Sequence, residues 1–319
     1  MSDLRQAVQQ YLALRRSLGF KLRLTGNYLH DFVTFMERER ATHIATELAL
    51  RWATQPVRAQ PATWGLRLGV VRRFASWCSA TDPRTEIPPP GLLGHRYRRR
   101  PPYIYSDKEI EMLLRAAGQI PSPKGLRAVT YSTLFALLVV TGMRVNEALR
   151  LQEEDVNIQD GVLRIRVTKF AKSRIVPVHQ STCAALAAYT KVRDRIFPRR
   201  SSRAFFISER ATPITEWAAQ YTFAKLSQQV GLRTPVKGRG RGPGPRIHDL
   251  RHRFAAGTLI RWYRSGLDVE REIPKLATYL GHVHLNDTYW YLEAVPELLQ
   301  LATERLEQGR CDKEKEVTS

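Results

Sequence analysis

A proline- and arginine-rich break between Asp82 and Pro102 sets the outline of what this chain can become. Pro83, Pro88-Pro89-Pro90 and Pro101-Pro102 hold the backbone extended and remove amide donors, so no helix or sheet runs through the segment. With Gly91, Gly94 and the arginines Arg96, Arg98, Arg99 and Arg100, residues 83–104 read as a cationic linker suited to following a phosphate backbone. The break divides 319 residues into two segments, each long enough to bury a core of its own.

The segment before it is helical throughout. Val8, Tyr11, Leu12 and Leu14, then Leu29, Phe32, Val33 and Met36, then Leu66, Val70, Phe74 and Trp77 recur at spacings of three and four, which predicts an all-helical domain over 1–82. Basic residues, among them Arg67, Arg72 and Arg73, fall between the apolar positions and are candidate DNA contacts. They are part of a large excess: 51 Lys and Arg against 30 Asp and Glu leave a net charge of +21 on a chain whose hydrophobic content, 43%, is ordinary for a globular protein. Such a charge favours a polyanionic partner, nucleic acid ahead of an acidic membrane. Cys78, Cys183 and Cys311 have no paired spacing, so neither a disulfide framework nor a cysteine zinc site is expected. The N-terminus lacks an apolar signal core, and the longest apolar run, Leu134 to Val140, is far short of the ~20 residues that cross a bilayer. The expectation is a cytoplasmic, nucleoid-associated protein.

Beyond the linker a mixed domain is predicted over 105–308. Ser106 and Glu109 form a capping box opening a helix through Ala117. An apolar helix over 130–140 stops at Gly142, suited to a left-handed cap, and a new turn starts at Met143-Arg144. Residues 155–159, 162–168 and 174–179 alternate β-branched and polar residues around an Asp160-Gly161 turn and read as three short antiparallel strands, with Lys169 between the last two. Helical patterning resumes at Thr182, interrupted by the run Lys237 to Arg246, whose Arg239 and Arg241 are further candidate DNA contacts. The charged stretch 309–319 reads as a disordered tail. The fold class is therefore mainly α with a small antiparallel β-sheet.

Two clusters stand out. His248-Asp249-Leu250-Arg251-His252 puts His248 and Arg251 on one helix face. His248 and His252 also mimic the spacing of zinc-protease ligands, but the Glu expected beside the first His is missing and a cation sits on the face, so no metal site is expected. The second cluster is Leu280-Gly281-His282 followed by Tyr289 and Tyr291.

In order and spacing, Thr141 to Leu149, Thr168 to Pro177, His248 to His252, and Leu280 to His282 with Tyr291 nine residues on resemble the tyrosine recombinase (phage integrase) family, over most of 105–295. The helical domain looks like that family's core-binding domain. The resemblance implies a DNA strand-transfer enzyme whose two domains close on duplex, with Arg144, Lys169, His248, Arg251 and His282 as activating residues and Tyr291 as nucleophile. Lys172 competes with Lys169, because Thr168 and Phe170 stand where the family often has glycine; Tyr289 competes with Tyr291, and spacing from His282 favours Tyr291. Glu147, one turn after Arg144, is expected to orient it. The resemblance further implies that the helix bearing Leu298, Leu299, Ala302 and Leu306 docks on a neighbouring protomer in a homotetramer on DNA, with copies of itself or with related recombinases. Because helical patterning starts near residue 4, a simple recombinase or transposon-type enzyme is expected rather than one with an extra arm-site domain.

The residue chemistry agrees. Guanidiniums bind the nonbridging oxygens of a phosphodiester transition state and stay charged at any working pH. A phenol of ordinary pKa near ~10 needs a base or cation, which His248 and the arginines would supply, and a lysine of lowered pKa would protonate the leaving 5′-oxygen. Neither metal nor other cofactor is expected. The same residues would also serve a type IB topoisomerase, and the positive charge would equally suit a catalytically inactive DNA-binding protein or a metal-dependent nuclease.

Overall fold

The computed structural model describes residues 4–57, 59–93, 101–166, 173–235 and 243–317, with Leu306 and residues 308–317 described by backbone alone. The chain divides into two compact units, Met1–Arg100 and Pro101–Ser319.

The first unit is built on four helices, α1 (Leu4–Ser17), α2 (Arg23–Arg38), α3 (Thr46–Thr54) and α4 (Pro61–Cys78). Pro61 starts α4, where its missing amide donor has no helical partner to lose. Val8, Leu12, Phe32, Met36, Trp52, Val71 and Phe74 share the core. Of the expected stripe of α4, Val70 and Phe74 are buried, but the buried face is wider and includes Leu68 and Val71, whereas Leu66 is exposed. Apolar residues surround this helix, so packing against α2 and α3 chooses its face where periodicity does not.

That choice turns Arg67 inward and overturns its expected contact with DNA. Its guanidinium lies over the Trp52 ring at 3.8 Å from the centroid and donates to Trp52 O at 3.0 Å and Asp31 Oδ2 at 3.3 Å. Arg72 donates to Pro88 O at 2.6 Å and Pro89 O at 2.8 Å, so its donors face main chain. Arg73 is exposed. The expected linker is therefore shorter than 83–104: Thr85 is buried, Glu86 N donates to Ile44 O at 2.8 Å, and Leu93 packs on the helical core. Arg96, Arg98, Arg99 and Arg100 lie outside the described residues.

In the second unit, α5 (Asp107–Gly118) opens on the expected capping box, Ser106 N donating to Glu109 Oε2 at 2.7 Å. The central helix α6 (Leu126–Thr141) is nearly enclosed, with Leu134, Phe135, Leu137 and Leu138 buried. Gly142 ends it in the left-handed region, φ 59°. After α7 (Val145–Leu149) come β1 (Val156–Asn157), β2 (Val162–Ile165) and β3 (Arg174–Pro177), an antiparallel sheet in the order β1-β2-β3. Leu163 pairs with Val176 and Ile165 with Arg174, so Leu163, Ile165 and Val176 face the core while Ile175 is exposed. Helices α8 (Gln180–Ile196), α9 (Glu216–Gln229), α10 (Asp249–Arg264), α11 (Val269–Leu280), α12 (Asn286–Ala294) and α13 (Pro296–Val317) complete the unit.

One expectation about the C-terminal end differs from the structure. The helix α13 continues to Val317 through the stretch read as disordered; Glu, Gln, Lys and Arg there are good helix formers, opposed most strongly by Gly309. Of the face bearing Leu298, Leu299 and Ala302, Leu298 is fully buried with residues of α10 to α12 and Arg305 donates to Leu267 O, whereas Leu299 is exposed.

Candidate active site

Two helix C-termini build the site. The left-handed glycines Gly142, after α6, and Gly281, after α11, turn the chain so that main-chain carbonyls point inward, where the negative ends of helix dipoles attract cations. Arg251, on the first turn of α10, donates Nη1 to Gly142 O and Nη2 to Leu280 O, each at 2.9 Å, and is 2% exposed. Arg144, at the start of α7, donates Nη2 to Gly281 O at 3.2 Å. The two guanidiniums thus meet at consecutive carbonyls of one turn. Burial brings Arg251 down to about 10, the charge of Arg144 adding to this while the Tyr291 phenol and Glu147 oppose it; it remains cationic at pH 7.

Glu147 holds Arg144 as expected, accepting from its backbone N at 2.9 Å and its Nη1 at 3.0 Å. A residue to which sequence patterning assigns no role shares this carboxylate: Arg174 of β3 donates to Glu147 Oε1 at 3.1 Å and Oε2 at 2.7 Å, and to Tyr279 O at 2.8 Å. Burial alone would raise the Glu147 carboxyl, but hydrogen bonds and charge from Arg174, then Arg144, hold it below the usual range. Arg174 therefore ties the base of the β2–β3 connection to α7 and to the end of α11.

His248 caps the start of α10 and is accessible to water. Protein packed around its ring, then the guanidiniums of Arg251, Arg144 and Arg246, bring its imidazole down to about 4. Since water does reach the residue, the cationic neighbours carry much of that direction, and the ring is neutral at pH 7. His282 follows Gly281; its backbone N donates to Ala277 O at 2.9 Å and its Nδ1 shares a hydrogen with Thr288 Oγ1 at 2.7 Å.

The two candidate tyrosines of α12 separate cleanly. Tyr289 is exposed, whereas Tyr291 is 2% exposed, and its Oη is 2.9 Å from His252 Nδ1. Sequence spacing marks His252 only as a zinc-ligand mimic and leaves phenol activation to His248; the hydrogen-bonded imidazole is that of His252. Its i+4 spacing from His248 is the signal that could have found it, and the rings of the two histidines stand edge to face at 4.9 Å. Among the described residues no group of three or more His, Cys, Asp or Glu side chains is arranged to hold a metal ion. Nor, among them, is any helix long and apolar enough to cross a membrane.

Arg144, His248, Arg251, His282 and Tyr291, with Glu147, thus come from α7, α10, the α11–α12 turn and α12 into one neighbourhood. Lys169 and its competitor Lys172 lie outside the described residues, as do Arg239 and Arg241.

Residues 105–297 match the phage integrase family. A protein of Sinorhizobium fredii (strain NBRC 101917 / NGR234) designated integrase/recombinase y4rB is 49% identical over 97% of this chain and 98% of its own. Among solved structures, the XerH site-specific recombinase bound to palindromic difH substrate in a post-cleavage complex has a TM-score of 0.63 at 18% identity, covering 88% of this chain and 78% of that one. A lambda integrase tetramer bound to a Holliday junction has a TM-score of 0.58 at 18% identity, covering 88% and 77%. The family match spans the segments that carry the arginines, histidines and tyrosine just described, and the curated relative extends the likeness across nearly the whole chain: this protein belongs to the phage integrase family of tyrosine recombinases.

Proposed function

We propose that the chain is a site-specific recombinase that cleaves and rejoins duplex DNA through a 3′-phosphotyrosine on Tyr291 and exchanges strands between two sites as a homotetramer. The observation that carries this reading is the convergence of Arg144 and Arg251 on consecutive carbonyls of one turn, with His282 next in sequence and the Tyr291 phenol hydrogen-bonded to His252, the neighbour of Arg251 on α10. Arg144 and Arg251 hold the nonbridging oxygens of the scissile phosphate, and His248 and His282 hydrogen-bond to them. Tyr291 Oη attacks phosphorus, the bond to the 5′-oxygen breaks, and Lys169 gives that oxygen its proton. The phosphotyrosine conserves the energy of the broken diester, so a 5′-hydroxyl from another duplex reverses the step without ATP. The DNA complexes of XerH and the junction-bound tetramer of lambda integrase support duplex DNA as substrate and a tetrameric assembly. Arg73, the linker arginines Arg96, Arg98, Arg99 and Arg100, and Arg239 and Arg241 are proposed to contact the DNA backbone.

The test uses a nicked suicide duplex built on inverted half-sites from DNA flanking the gene. Wild-type protein should form a covalent adduct in EDTA and Tyr291→Phe none; adduct at the wild-type level in Tyr291→Phe removes the assignment. Relaxation of any supercoiled plasmid without site preference or bridged duplexes would point instead to the topoisomerase reading.

A further inference from the structure

We infer that His252, rather than His248, is the base that accepts the Tyr291 proton, with the Asp249 carboxylate stabilising the charge it gains. This rests on the reading of Tyr291 as the nucleophile. A phenol titrates near ~10, so attack at neutral pH requires that its proton leave as the bond to phosphorus forms. Tyr291 is 2% exposed, which keeps bulk water from being a ready acceptor, and its oxygen is 2.9 Å from His252 Nδ1, within the range for direct transfer. The other edge of the ring, Nε2, faces Asp249 Oδ1 at 3.9 Å. A carboxylate on that side favours the hydrogen on Nε2, which leaves the Nδ1 lone pair for the phenol. Asp249 is itself fixed, being 4% exposed with Oδ2 accepting from Arg246 N at 2.6 Å. At 3.9 Å the carboxylate lies beyond hydrogen-bond reach of the ring but stabilises the imidazolium that His252 becomes. His248 is poorly suited to the task because the protein packed around its ring and then the guanidiniums of Arg251, Arg144 and Arg246 disfavour a further cation there.

The step balances. The Oη–H proton passes to His252 Nδ1, the oxygen's electron pair forms the bond to phosphorus, and the bond to the 5′-oxygen breaks with its pair on that oxygen, which is protonated separately by the general acid. In rejoining, the imidazolium returns the proton to Oη.

His252→Asn is the decisive variant, because its Oδ1 stands close to the place of Nδ1 and accepts the phenol hydrogen bond but not the proton. On the nicked duplex described above, single-turnover adduct formation should slow about 10²–10⁴-fold with binding to the duplex unchanged. In His252→Ala, added imidazoles should restore the rate in order of their basicity. A duplex with sulfur in place of the 5′-bridging oxygen needs no proton on its leaving group; it should relieve a Lys169→Ala defect and leave the His252→Asn defect in place. A His252→Asn rate within about threefold of wild type, rescue indifferent to imidazole basicity, or relief of His252→Asn by the sulfur leaving group would each overturn the inference. Loss of adduct in Tyr291→Phe beside a normal His252→Asn would defeat it alone, whereas adduct in Tyr291→Phe would defeat the reading beneath it.

Discussion

Replacing Glu147 by Gln separates the holding of the arginines from the chemistry they do. The carboxylate accepts from Arg144 N, Arg144 Nη1, Arg174 Nη1 and Arg174 Nη2 at 2.7–3.1 Å. Gln keeps one acceptor oxygen and sets an amide NH2 against a guanidinium. The Arg144 side chain is 38% exposed, so water replaces much of what it loses, but the Arg174 side chain is only 11% exposed. Charge-assisted hydrogen bonds contribute about 1.5–3 kcal/mol; Arg174 keeps its bond to Tyr279 O but loses its counter-charge, which puts the cost at the upper end, about 3 kcal/mol. For a unit of this size that lowers the melting temperature by roughly 6–12 °C. Thermal unfolding of the full chain, with hydrogen exchange assigning the transition to residues 101–319, measures it. The pH dependence has a definite sign. The folded pKa of Glu147 lies below its unfolded value near ~4.3, so its stabilisation is complete above that pH and is lost as pH falls through the folded value. The gap between wild type and variant should therefore be constant from pH 7 to about 5 and shrink in more acidic solution. A melting temperature within about 3 °C of wild type at pH 7, or a gap that widens in acid, would refute the argument.

Three further outcomes follow from the same geometry. In Gly142→Ala, the new Cβ would stand 2.5 Å from Phe254 Cδ1 at φ 59°; the unit should lose about 2–4 kcal/mol, and adduct formation should fall beyond that loss because Gly142 O positions Arg251. Arg67→Ala should destabilise the helical unit by about 2–3 kcal/mol and leave the salt dependence of DNA binding unchanged, whereas Arg73→Ala should lower that slope by about one ion; equal slopes would contradict the inward placement of Arg67. The Cys78 thiol, pushed up to about 12 by burial and by Asp82, should resist thiol reagents in the native protein at pH 8 and react only as the first unit unfolds; fast labelling of folded protein would refute this.

Local features were legible in the sequence because their causes are local. The Ser106–Glu109 capping box lies within one turn, and the stop at Gly142 needs only a residue tolerant of positive φ. The arginines, histidines and Tyr291 of the site were found by the order of their motifs. What escaped depends on partners far along the chain. Arg67 looked like a solvated cation, since nothing near it announces Trp52 or Asp31, which lie 15 and 36 residues away. The sharing of Glu147 by Arg174 spans 27 residues, and the meeting of His252 with Tyr291 spans 39. Charge had the same limit: a net +21 suggests a polyanion but cannot say which cations are spent inside the fold.

The arginines of the site are anchored largely on main-chain oxygens, those of Gly142, Leu280 and Gly281. A point mutation can change any side chain but cannot delete a carbonyl. Descendants of this chain are thus free to rewrite much of what surrounds the pocket, and so to acquire new target sequences, provided that the two bends endure. The seating of the two guanidiniums is inherited through backbone shape, whatever side chains later come to surround it.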